Sequence, residues 1–205
     1  IIVTCHNPIP DGYSANVRMD IDEFDLYVDL VEKTRQKWEG RIDVRLGLEC
    51  DYFPGAEPWL LKLHTKADFH HILGSIHPQV EEYQERFFKG TPFEYQKIYF
   101  SHLAESAEIG LFDTLSHPDL IKNISPSDWH KDRILDHVCA ALDRIAKTGV
   151  SMEINTSGCL KVIPEMNPSV WMLKEMNKRN IPVVIGADAH VPTRVADRYL
   201  EALTI

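Results

Sequence analysis

Ile181-Pro-Val-Val-Ile-Gly-Ala-Asp-Ala-His190 is the stretch on which the reading of the fold turns. It opens with an apolar, β-branched run between a polar segment and a glycine, the pattern of a buried parallel strand. Asp188 and His190 follow at the strand's C-terminal end, and Pro192 starts a helix-like segment. A carboxylate and an imidazole just past a buried strand are placed to hold a metal ion. The same pair also reads as a helix cap beside an exposed imidazole, so the remaining strands have to decide.

Working outward, the chain repeats one pattern. Ile1 to Cys5 reads as a strand that hands over His6, and Asp43 to Glu49 as a strand ending in Glu49. Asp68 to Ile76 closes on Gly74-Ser-Ile-His77, Leu111 to Ser116 on His117-Pro-Asp119, and Val150 to Ile154 on Asn155-Thr-Ser-Gly158. Helical spacing fills the intervals: Asp20 to Trp38, Pro58 to Lys66, Pro92 to Ile109, and Asn167 to about Asn180. A further helix starts with Ser125 as N-cap and Pro126 at its first position, and stops at Gly149. Strand, loop and helix alternating in this way imply an α/β fold with a parallel sheet, either open and doubly wound or closed into a barrel. An open sheet gathers its ligands at one crevice, whereas a barrel collects groups from nearly every strand end on one face. The placement of His6, Glu49, His77, His117, Asn155, Asp188 and His190 favours the barrel.

Composition bounds the rest. The 205 residues are enough for one sizeable domain, read here as spanning 1–205, with no repeat or linker. A 44% hydrophobic and 26% charged content is that of an ordinary globular chain. No run of about 18 apolar residues predicts a membrane span, and no basic, cleavable leader is visible. Cys5, Cys50, Cys139 and Cys159 lack C-x-x-C spacing and read as reduced thiols of a cytoplasmic protein. A net charge of −9 argues against a nucleic-acid partner, though not against a small phosphorylated substrate held through metal ions.

Collected in one bowl, His6, His77, His117 and His190 with Glu49 and Asp188 offer imidazoles and carboxylates but no thiolate. That donor set suits zinc, manganese or iron. It exceeds what one mononuclear site takes, so at least two metal ions are expected. Two close metals can clamp a phosphoryl oxygen during in-line displacement. Any one of these histidines, taken alone, reads as an ordinary loop residue; their common face is what resists that reading. Cys5 and Cys50, next to His6 and Glu49, are expected to point the opposite way.

At these residues the sequence resembles the polymerase-and-histidinol-phosphatase (PHP) superfamily, in its histidinol-phosphatase branch. The resemblance runs through Thr4-Cys-His6, Gly47-Leu-Glu49, Gly74-Ser-Ile-His77, His117-Pro-Asp-Leu120, Glu153-Ile-Asn-Thr-Ser-Gly158 and Gly186-Ala-Asp-Ala-His190. It implies a distorted (β/α)7 barrel with two or three divalent metal ions. Glu49 would bridge two of them, His77 and His117 would complete one site, Asp188 would serve a second, and His6 with His190 a third. The implied reaction is hydrolysis of a phosphomonoester, best guessed as L-histidinol phosphate, by metal-activated water, with Asp188 or His190 moving a proton.

Two departures qualify the resemblance. The family's opening His-x-His strand is absent, as is a histidine soon after it, so the first βα unit reads as missing. The sheet is expected to have two unpaired edges, partly exposed, covered by a second copy, or completed by a segment missing from this sequence. The arginine expected after Asn-Thr-Ser-Gly is replaced by Gly158-Cys-Leu-Lys161, which leaves Asn155, Lys161 and Arg194 as candidate phosphate-binding residues. A non-catalytic metal-binding domain is the alternative reading. A phosphodiesterase or exonuclease is a weaker one, disfavoured by the acidic charge.

Overall fold

A computed structural model describes residues 1–205, the side chain of Asp11 excepted. Six parallel strands carry the fold: β1 (Ile2–Val3), β2 (Arg45–Asp51), β3 (His71–Ser75), β4 (Thr114–Leu115), β5 (Ser151–Asn155) and β6 (Val183–Gly186). Their spatial order is their sequence order, with every neighbouring pair parallel. A doubly wound sheet would reverse its order at a switch point, and this one does not. Six strands laid flat would set the outermost pair about 24 Å apart. Yet His6, just past β1, and His190, just past β6, have ring centroids 6.5 Å apart. The sheet therefore curls, and its C-terminal ends surround a common bowl.

Helices α1 (Phe24–Lys37), α2 (Glu57–His64), α3 (Glu81–Phe87), α4 (Pro92–Glu108), α5 (Lys131–Ile145), α6 (Val170–Lys178) and α7 (Tyr199–Ala202) occupy the connections. None is long and apolar enough to cross a membrane. Helix α4 starts where Thr91 and Glu94 form a capping box around Pro92. In α5, Ile134, Val138, Leu142 and Ile145 fall on one face and are fully buried. The main core lies between these helices and the outer face of the sheet, where Leu48, Cys50 and Met152 point. Period-two alternation sends Glu49, Asp51, Ser75, Glu153 and Asn155 to the inner face. That face is polar and cross-braced. His71 Nε2 lies 2.9 Å from Thr114 Oγ1, and Ser75 Oγ 2.7 Å from Ser116 Oγ.

Several local expectations need correction. The strand expected from Ile181 is buried only at that residue, since β6 pairs only with β5 and leaves Val183 and Val184 exposed at 49% and 37%. At the other edge Ile1 and Ile2 are exposed as well, as two unpaired edges require. The first strand shortens to Ile2–Val3, with His6 in a separate bridge to Glu49. Ser125 precedes a short 3-10 turn, Pro126–Asp128, and α5 begins only at Lys131. Trp129 and His130 are extended there, and Trp129 packs its ring against Phe100 and Trp171, each at 6.2 Å. That packing breaks the helix. Helix α3 lies between His77 and Pro92, where no element is expected from the sequence.

Candidate metal centre

Glu49 is the hub of the bowl. The β1–β2 register places it beside His6, with Glu49 N donating to Cys5 O at 3.0 Å and Asn7 N to Glu49 O at 2.8 Å. Its Oε1 accepts from Ser75 Oγ at 2.6 Å and lies 3.2 Å from His117 Nε2 and 3.3 Å from His77 Nε2. Glu49, His77 and His117 are all buried, and their donor atoms lie within 4.8 Å of one another. A second group overlaps the first. Asp51 Oδ1 lies 2.9 Å from His77 Nδ1 and 3.7 Å from His6 Nδ1.

The electrostatics are those of a cation site. Burial opposes ionisation of Glu49, but hydrogen bonds from His117 and His77 hold its carboxyl well below the usual range. Burial also opposes charge on His77, yet the Asp51 charge, seconded by Glu49, pushes its pKa up to about 10. Asp51 is likewise held far down, against burial, by His77, His6 and Arg18. Within this carboxylate cage His6 Nδ1, His117 Nδ1 and Asp51 Oδ1 are buried without an aligned hydrogen-bond partner. Each such atom costs about 1–3 kcal/mol. The imidazole nitrogens of His77 and His117 converging on the Glu49 carboxylate form a donor set that fits divalent metal ions.

The loops that present these groups are held in unusual conformations. His117 and Asp188 have φ of 29° and 46°, in the left-handed region that side chains avoid, a strain found at functional sites. His117 N donates to Glu153 Oε2 at 2.9 Å, and Asn155 Nδ2 donates to the same oxygen at 3.0 Å. Only glycine fits beside that carboxylate, because a Cβ at Gly186 would fall 1.8 Å from Glu153 Oε1. Burial raises the Glu153 pKa to about 6, despite the opposing influence of His117 and Asn155.

The other expected residues sit around this hub. Asp188 Oδ2 accepts from Ser157 Oγ at 2.8 Å, and its Oδ1 lies 3.4 Å from His190 Nδ1. His190 is in the bowl but 70% exposed at its side chain. Among the described residues neither joins a tight donor group. Asn155 uses both ends of its amide locally, accepting from Ser157 N and Oγ as well as donating to Glu153, so it shapes the loop rather than offering a free group. Lys161 is exposed beyond that loop. Arg194 lies 3.4 Å from Asp197 through Nε, while its Nη2 is buried with no partner. Cys50 packs in the core on the opposite face of β2, as the alternation requires.

Asp51, Glu153 and Arg18 escaped the sequence reading. For the two carboxylates a signal existed: Asp51 shares the face of Glu49 two residues on, and Glu153 that of Asn155. Arg18, which donates to Asp51 Oδ2 at 2.8 Å, comes from a loop with no period to read.

The PHP domain family matches residues 1–157. A protein of Deinococcus radiodurans named as a probable histidinol-phosphatase is 33% identical over 98% of this chain and 78% of its own length. This chain belongs to the PHP family. Among PHP structures, one assigned as the histidinol phosphatase HisK of Listeria monocytogenes superposes with a TM-score of 0.82 at 17% identity, covering 98% of this chain and 87% of that one. The histidinol phosphate phosphatase of Lactococcus lactis, solved with zinc, L-histidinol and phosphate, gives 0.73 at 16% identity, over 98% and 77%. These likenesses confirm the curled α/β fold.

Proposed function

We propose that this PHP chain is a metal-dependent phosphomonoesterase acting on L-histidinol phosphate. The observation that carries the reading is the buried convergence of Glu49, His77 and His117, whose ligand atoms all lie within 4.8 Å of one another. The name of the 33% identical relative supports the substrate. Two or three divalent ions, zinc, manganese or iron, would be held here. Glu49 would be shared between two, His77 and His117 would serve one with it, Asp188 a second, and His6 with His190 a third. When bound, such ions polarise a phosphoryl oxygen and lower the pKa of a coordinated water.

The chain's own groups do the rest. Ser75 orients the Glu49 carboxylate by donating to Oε1. Asp188, steadied by Ser157, and the solvent-facing His190 carry protons between water and the departing alkoxide. Arg194, whose Nη2 is buried without a partner, binds the phosphate, and Lys161 adds a positive charge at the loop that Asn155 shapes. The six strands take their place in a (β/α)7 barrel. Four unpaired cysteines support a reducing, cytoplasmic setting, and the apolar edges at Ile2 and Val183 support self-association.

The test is phosphate release from L-histidinol phosphate by the metal-loaded chain, beside other monoesters and a phosphodiester. Preference for the histidinol ester is expected. Equal or better cleavage of the diester would overturn the reading. A metal-binding domain without turnover is the second reading, favoured by His190 standing largely exposed and outside the tight donor groups; retained metal without hydrolysis would select it.

A further inference from the structure

His77 faces two donor groups through its two nitrogens, and a neutral imidazole can ligate through only one. Asp51 and Glu49 flank the ring, one carboxylate at each nitrogen. On the Nε2 side, Glu49 Oε1 lies 3.3 Å away and is shared with His117 Nε2 at 3.2 Å, so ligands from β2, β3 and β4 strand ends converge there. On the Nδ1 side stands Asp51, whose carboxylate is already committed. Arg18 donates to its Oδ2 at 2.8 Å, with both side chains nearly excluded from solvent at 3% and 2%. Arg18 also donates to Asn7 O at 2.9 Å, and Asp51 N donates to Asn7 Oδ1 at 2.9 Å, so the acid is held through both its side chain and its backbone.

We infer that Asp51, clamped by Arg18, is the positioning residue that holds the proton of His77 on Nδ1 and thereby presents Nε2 to the metal beside Glu49 and His117. A carboxylate behind a metal-binding imidazole fixes the tautomer and ring orientation and raises the basicity of the ligating nitrogen. The Asp51 Oδ1 to His77 Nδ1 approach of 2.9 Å is within hydrogen-bond reach, although not in line with the N–H. A carboxylate neutralised by a buried guanidinium is a poor metal ligand but a good orienting acceptor. The inference rests on the proposed metal site but not on turnover.

The full chain, labelled with 15N and loaded with zinc, tests it. A long-range proton–nitrogen correlation of His77, assigned against His77→Gln, should show Nδ1 protonated and Nε2 metal-bound. Asp51→Asn keeps the shape, and Arg18 retains an oxygen acceptor. It should lower zinc affinity about 10-fold or more, within the range for groups behind a ligand, with the number of bound ions unchanged. Zinc on Nδ1, loss of one bound equivalent in Asp51→Asn, an unchanged affinity, or no zinc at His77 would each overturn the inference. The tautomer measurement needs no variant, so misfolding of Asp51→Asn leaves it standing. Absent hydrolysis with the expected tautomer would sink the phosphatase reading alone.

Discussion

His6 and His190 come from opposite ends of the sheet, yet their rings are 6.5 Å apart. Every group between them in the strand order is thereby drawn into one bowl. His6 is also 5.0 Å, ring to ring, from His77, which is in turn 5.0 Å from His117. The histidines form a continuous arc around Glu49.

Removing His117 should abolish the most enclosed site. His117→Ala is expected to lose one zinc equivalent by elemental analysis and to lower phosphate release by more than the roughly 10–100-fold typical of residues behind a ligand. Full zinc content in this variant would mean that Glu49 and His77 do not form the site proposed for them.

Metal uptake should depend on pH through His77. Its pKa of about 10 in the metal-free protein means that, at neutral pH, zinc must displace a proton. Apparent affinity should therefore rise with pH, by up to about tenfold per unit, and level off near pH 10. Calorimetry in buffers of different ionisation enthalpy would report the released proton. A pH-independent affinity between 6 and 9 would refute the assignment.

Glu153 should make the metal-free protein less stable as pH rises. Its folded pKa of about 6 lies above the ordinary 4.5, so the native state binds the extra proton in that window. The stability it provides is complete below about pH 4.5 and is lost as pH rises through about 6. Glu153→Gln keeps the acceptor for His117 N, so above pH 7 it should melt higher than the parent by roughly 1–2 kcal/mol, the difference vanishing below pH 4.5. Denaturant midpoints across that range are the check.

Lys122 holds the loop after His117 in place. Fully buried, its Nζ donates to Asp119 Oδ2 at 3.0 Å, Glu165 Oε1 at 3.1 Å and Met166 O at 3.1 Å, tying the His117–Asp119 loop to the segment before α6. Lys122→Met would leave Asp119 buried without its cation and should cost about 3–5 kcal/mol in denaturant unfolding. A loss under about 1 kcal/mol would show that the cluster relaxes with water.

The sequence alone determined the alternation of strands and helices, and with it the positions His6, Glu49, His77 and His117 just past or at strand ends. Those rest on local physics: hydrophobic period, caps and breakers act within a few residues, and parallel strands put their C-terminal ends on one side. Tertiary structure decided what spacing cannot carry. Which strand lies at an edge depends on partners, so the apolar run at Val183 looked buried although its neighbours leave it open. Asn155 looked like a ligand-binding amide until its loop folded back and used both of its ends. The partnership of Asp51 with His77 and Arg18 joins residues from three separate segments, and only the pairing of β2 with β3 and the return of the loop before α1 bring them together.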